Sequence, residues 1–117
     1  MKVTEKKRGK VTLFSIEGRL DSNTSAEVDE QIMATIHEGS KKIVLDFSAL
    51  EYISSAGVRV LVHCHKEVEK LGGHIYLASV PKPIENVLYI TGFLPYFTVF
   101  DHPAQATQAI EQDEATD

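Results

Sequence analysis

The sequence predicts an α/β fold built as one domain around a mixed sheet. Short apolar runs alternate with helix-period segments along the chain, and most of those segments carry their own start and stop residues. Lys42–Phe47 is a short, dense apolar run of the kind that forms a buried central strand. No internal repeat, low-complexity stretch or Pro/Ser-rich break divides the chain.

Val3–Lys7 and Val11–Glu17 read as two short strands joined around Arg8-Gly9. In the second, Val11, Leu13 and Ser15 alternate with Thr12, Phe14 and Ile16, which makes both faces largely apolar and suits a strand covered on both sides. Gly18 to Asn23 is expected to break that strand. Thr24-Ser25-Ala26-Glu27 fits a capping box, with Thr24 as N-cap, and Val28, Ile32 and Ile36 follow at helical spacing before Gly39 stops the segment.

After the Lys42–Phe47 strand a bend is expected at Ser48 to Glu51, and Tyr52-Ile53 then leads into Ser54-Ser55-Ala56-Gly57. A helix over Ala56–Leu71 follows, with Val58, Leu61, Cys64, Val68 and Leu71 as its apolar stripe and Gly72-Gly73 as its stop. His74–Ser79 is the next strand. Pro83 is placed at the first position of a third helix with Ile84, Val87, Leu88 and Thr91 as its stripe. Val99-Phe100 reads as a last short strand and Pro103–Glu111 as a terminal helix. The expectation is four to five strands, mostly parallel, flanked by about four helices with right-handed crossovers.

Composition excludes several classes. At 117 residues and 43% apolar content, the chain can bury one core and is too apolar for a disordered protein. One cysteine, Cys64, excludes an internal disulfide, a CxxC pair and any multi-Cys zinc site. No apolar run approaches the ~18 residues that would span a bilayer, so no membrane insertion is expected. No apolar segment follows the charges of Met1–Lys7, so no secretory signal is expected, and the expected location is cytoplasmic.

The net charge is −5, and four of the acids fall in residues 111–117, where there is no base. That segment, Glu111–Asp117, is expected to be a mobile acidic tail behind a domain of residues 1–110. Lys6-Lys7-Arg8 reads as a solvated hairpin turn. An acidic chain without Trp, and without an aromatic residue in its basic patch, is not expected to bind nucleic acid directly.

The usual signatures of catalysis are missing. There is no GxSxG, Walker A or GxGxxG pattern, and no cofactor is expected. His63 and His65 stand two apart on a helix, about 200° around its axis, so they cannot grip one metal ion together. Cys64 is expected to be a buried small hydrophobe. No metal site is expected.

The informative stretch is Tyr52-Ile53-Ser54-Ser55-Ala56-Gly57-Val58, where two serines stand at a strand-to-helix turn. A serine there can cap the helix, a role worth about 1 kcal/mol. It can also accept a phosphoryl group, because free N–H groups and the positive end of the macrodipole favour an anion there. The two roles are compatible.

These parts together resemble the STAS-domain family, most closely its stand-alone anti-sigma factor antagonists. The resemblance covers about residues 3–110 and rests on the opening strand pair, Gly18-Arg19-Leu20-Asp21, Ile43 to Ser48, the serine turn with Gly57-Val58, Leu71-Gly72-Gly73 and Gly92-Phe93-Leu94. It implies a regulatory binding module, not an enzyme. In such a circuit the dephosphorylated antagonist binds an anti-sigma factor that is also a serine protein kinase, phosphorylation releases it, and a PP2C-type phosphatase resets it.

The family pattern is roughly Asp-Ser-Ser/Thr-Gly-Leu. Anchored on Gly57, it makes Ser55 the acceptor, with Ser54 in place of the Asp and Ala56 in place of the second hydroxyl; Ser54 is the second choice as acceptor. The resemblance further implies that Asp21, Tyr52, Ile53, Ser54, Gly57 and Val58 form the partner-binding surface. As a loop residue, Asp21 can equally form an Asx-turn. The alternative role is a STAS accessory subunit docked permanently on a membrane transporter or lipid-transport complex, in which the serine is only a cap. An enzyme or small-nucleotide binder using the serine turn is a third reading.

Overall fold

A computed structural model describes residues 1–113. The strands are β1 (Lys2–Arg8), β2 (Val11–Leu20), β3 (Lys42–Asp46), β4 (Leu50–Ile53), β5 (His74–Ala78) and β6 (Thr98–Phe100). The helices are α1 (Ser25–His37), α2 (Ser55–Lys70), α3 (Lys82–Ile90) and α4 (Pro103–Gln112), with a short 3-10 turn at Leu94–Tyr96. The α/β class and the mixed sheet stand as expected.

The sheet runs β1-β2-β3-β5-β6, with β4 paired to β2 off that path. Only β1 is antiparallel to its neighbour. As an edge strand it carries Lys2, Glu5, Lys6, Lys7 and Arg8 exposed, and such charges discourage pairing with another chain.

Alternation along the strands divides the core into two layers. Phe14, Ile16, Ile43, Leu45, Ile75 and Leu77 pack with Val28, Ile32 and Ile36 of α1 and Val58, Leu61, Cys64 and Val68 of α2. On the other face Val11, Val44 and Ala78 meet Ala106 and Ile110 of α4. The strand–helix register read from the sequence therefore holds, and so does the expectation that β2 is covered on both faces.

Several details differ from the sequence reading. Among the described residues the sheet has six strands, one more than the upper expectation, because Leu50–Ile53 forms a strand that takes in the second half of the expected bend, leaving only Ser48-Ala49 as the turn. Only its end residues, Leu50 and Ile53, are buried, so it shows no two-residue alternation to betray it. β2 does not break at Gly18: it shifts register between Gly18 and Arg19, with Gly18 at φ +103°, and then pairs β4. A glycine here makes an irregularity within the strand rather than ending it.

The capping box does not form. Thr24 sits at the N-cap position in a helical conformation, and its hydroxyl donates to the Arg19 carbonyl at 2.7 Å and accepts from the Asp21 N–H at 3.0 Å. A side-chain cap ordinarily needs extended backbone at that residue. Leu71 is the C-cap of α2 and is 45% exposed, so it leaves the apolar stripe. Pro83 is the second residue of α3, not the first.

The expected boundary at residue 110 also moves. α4 continues to Gln112; the Lys42 ammonium donates to the Glu111 carbonyl at 3.0 Å, and the Tyr76 hydroxyl donates to the Asp113 carboxylate. The expected tail is thus anchored through residue 113, and its remainder, 114–117, lies outside the described residues.

Candidate functional site at the serine turn

The turn between β4 and α2 assigns its two serines different work. Ser54 is the N-cap of α2 in extended conformation, and its Oγ accepts from the Gly57 N–H at 3.4 Å. Its own N–H donates to the Leu20 carbonyl at 2.9 Å, which ties the turn to the residue before Asp21. Ser55 is the first helical residue and is exposed, and its hydroxyl has no protein partner among the described residues. No acidic residue occupies the first turn of α2, so no side chain of that turn offsets the positive end of the helix beside that hydroxyl.

Asp21 does form the Asx-turn: its Oδ1 accepts from the Asn23 N–H at 2.9 Å. Its backbone carbonyl accepts from the N–H groups of Thr24 and Ser25 and from the Ser25 hydroxyl. Its other carboxylate oxygen is 3.8 Å from Arg19 Nε, and the Arg19 guanidinium lies 4.2 Å over the ring of Tyr52. Tyr52 is 41% exposed. Asp21, Arg19 and Tyr52 therefore make one surface strip beside the serines.

Three of the expected surface residues are not on the surface. Ile53 and Val58 are core residues and Gly57 is buried. A Cβ on Gly57 would lie 2.7 Å from the Leu20 carbonyl oxygen and 2.8 Å from Ile53 Cγ1. The glycine permits close approach, as expected, but of α2 to β2 and β4 rather than of a partner to the turn. Val58 already lies on the apolar stripe of α2, so period points to its burial; it does not for Ile53 and Gly57, whose burial depends on which strand the helix start rests on.

The structure adds residues that the motif did not name. A groove of about 370 Å³ opens between α1 and α2 from Ala56, lined also by Ser22, Ser25, Asp29, Arg59 and His63. Arg59 is exposed one turn after Ser55, and that four-residue spacing was the signal that could have found it. Burial and the neighbouring Asp29 carboxylate push the Cys64 thiol well above the ordinary thiol range. Cys64 is fully buried on the apolar stripe, as expected.

A larger cavity of about 470 Å³ lies at the other end of α1, lined by Lys7, Lys10, Lys41 and Lys42 around Gly9 and Ser40. Here Lys7 is 3.7 Å from Glu5, and Lys42 is bonded to the end of α4.

The STAS domain profile matches residues 2–106, and the chain belongs to that family. A Bordetella bronchiseptica protein named as an anti-sigma factor antagonist, BtrV, is 29% identical over 111 residues, which is 95% of this chain and 96% of that one. A Thermotoga maritima crystal structure described in the same terms superposes with a TM-score of 0.89 at 22% identity, covering 94% of this chain and 95% of that chain. The Bacillus cell fate determinant SpoIIAA in its phosphorylated form superposes at 0.75, with 18% identity, 93% of this chain and 99% of that one. Among the described residues no helix is long and apolar enough to cross a membrane.

Proposed function

We propose that this protein is a cytoplasmic anti-sigma factor antagonist that works by partner switching, as a binding module without catalysis of its own. Unphosphorylated, it docks the strip formed by Asp21, Tyr52, Ser54 and Ser55 on an anti-sigma factor that is also a serine kinase. Ile53, Gly57 and Val58 shape the turn from beneath. Phosphorylation of Ser55 ends the complex, and a PP2C-type phosphatase restores it. The antagonist names carried by relatives such as BtrV support the role.

The observation that carries the choice of acceptor is the division of labour at the turn: Ser54 is engaged as the cap, while the Ser55 hydroxyl is exposed and unpartnered among the described residues. A phosphate on Ser55 adds about −1.5 to −2 charges. In the free protein it meets the open N–H groups of the α2 N-terminus and the Arg59 guanidinium one turn on, so the fold tolerates it. Under a docked partner the same charge must be desolvated beside Asp21. An imperfectly paired buried charge costs several kcal/mol, enough to weaken binding about a hundredfold or more. No rearrangement of this protein is required.

The test is phosphopeptide mapping after treatment with the switch kinases of the same cell, together with binding measurements. Label is expected on Ser55. Ser55→Ala should bind the partner and resist labelling. Ser55→Asp should fold and bind more weakly, by less than true phosphoserine because it carries one charge. Label on Ser54 would shift the assignment by one residue. Label on neither, with stable capture of a transporter subunit, would replace partner switching with permanent docking.

A further inference from the structure

We propose that Asp29, His63 and Cys64 form a binding site for a divalent transition-metal ion of the zinc class, held between α1 and α2. The sequence set His63 aside because His65 cannot join it on one ion; the missing donor comes instead from the facing helix. Asp29 Oδ1 is 2.7 Å from His63 Nδ1 and 3.6 Å from Cys64 Sγ. One donor atom from each of the three residues lies within 4.8 Å of the other two.

Bonds of about 2.0 Å to nitrogen and oxygen and about 2.3 Å to sulfur put the donor–donor edges of a tetrahedral site at roughly 3.3–3.6 Å. The carboxylate–thiol edge already has that length. The carboxylate–imidazole edge must open by roughly half an ångström, and both of those side chains are partly exposed and able to move.

The donor set selects the class of ion. Imidazole, sulfur and one carboxylate suit zinc and its borderline neighbours, whereas magnesium and calcium take oxygen ligands. Asp29 and His63 both line the 370 Å³ groove, so water from the groove can fill the fourth position.

On binding, the buried Cys64 thiol passes its proton by way of the Asp29 carboxylate, to which it already donates, to water in the groove, and His63 carries its own proton on Nε2 so that the Nδ1 lone pair faces the ion. Burial first, and the Asp29 charge second, favour the protonated thiol in the free protein; the ion neutralises the Asp29 charge and pairs the thiolate in place of water. His65 faces the rings of Tyr96 and Phe97 and supplies nothing to the site. The site requires neither a phosphorylated serine nor a partner, so it stands or falls separately from the antagonist reading.

The test is a titration of the reduced full chain with Co²⁺, followed by displacement with Zn²⁺. One equivalent should give tetrahedral d–d bands and a sulfur-to-cobalt charge-transfer band, both abolished by Zn²⁺ and unaffected by Mg²⁺. His63→Ala and Asp29→Asn, both at partly exposed positions, should each weaken binding about tenfold or more while circular dichroism stays unchanged. His37→Ala, at an exposed histidine outside the cluster, should bind as the parent does. Absence of the sulfur band, full affinity in both His63→Ala and Asp29→Asn, or loss of binding in His37→Ala would each overturn the site.

Discussion

At the scale of single residues, the serine turn separates roles that the motif leaves merged. Ser54→Ala should cost about 1 kcal/mol in urea unfolding, as the loss of a helix cap does, whereas Ser55→Ala should leave stability within about 0.5 kcal/mol. Equal losses would show that the cap is shared. Gly57→Ala forces a Cβ to 2.7 Å from a backbone carbonyl oxygen that cannot swing away, and should cost about 1–3 kcal/mol. A neutral result would mean that the α2 start shifts freely off β2. His65 supplies a pH-dependent case. Burial lowers its pKa below the usual 6.5, and its Nδ1 is buried without a hydrogen-bond partner among the described residues. The unfolded chain then takes up a proton near 6.5 that the folded chain refuses until lower pH. Stability present above that value is therefore lost as pH falls below it. Between about pH 7.5 and about pH 5.5, His65→Phe should lose less Tm than the parent protein. Equal losses would remove His65 from the explanation.

At the scale of elements, legibility followed periodicity. α1 and α2 were visible because Val28, Ile32, Ile36 and Val58, Leu61, Cys64, Val68 repeat at helical spacing, and all seven are buried. β3 was visible because Ile43, Val44 and Leu45 are buried in succession between helices on both faces. β4 was not visible, since two exposed residues separate its two buried ones and it pairs only a short stretch of β2. Leu61→Ala empties a fully buried position between α2 and the sheet and should cost about 2–5 kcal/mol, measured by denaturant titration. A loss under 1 kcal/mol would mean that the layer collapses around the cavity.

At the scale of the whole molecule, α4 closes the second face of the sheet, and its last residues are fixed by charge and hydrogen bonding rather than by apolar contact. Asp113 accepts from the Tyr76 hydroxyl and lies 3.5 Å from His74 Nε2. Burial, followed by the Asp113 hydrogen bond and charge, pushes the Tyr76 hydroxyl up to about 12. Truncation after Ile110 should therefore destabilise the fold by about 1 kcal/mol and bring the tyrosine titration back toward its ordinary value, read by ultraviolet absorbance. Truncation after Asp113 should do neither. If the two truncations behave alike, the contacts of Glu111 to Asp113 contribute nothing to stability.

The sequence by itself determined the α/β class, the helices, the two-faced β2 and the serine turn, because each is written in local period, capping residues or a short ordered motif. Only the tertiary structure decided which motif residues are surface and which are core. Ile53 and Gly57 sit inside because α2 starts against Leu20, a contact between residues more than thirty positions apart. It likewise decided that Asp29 meets His63 and Cys64, since helix–helix packing brings their donor atoms together across the same distance in sequence. Spacing along a chain fixes the face a residue takes on its own element. What that face meets is settled only when the elements pack.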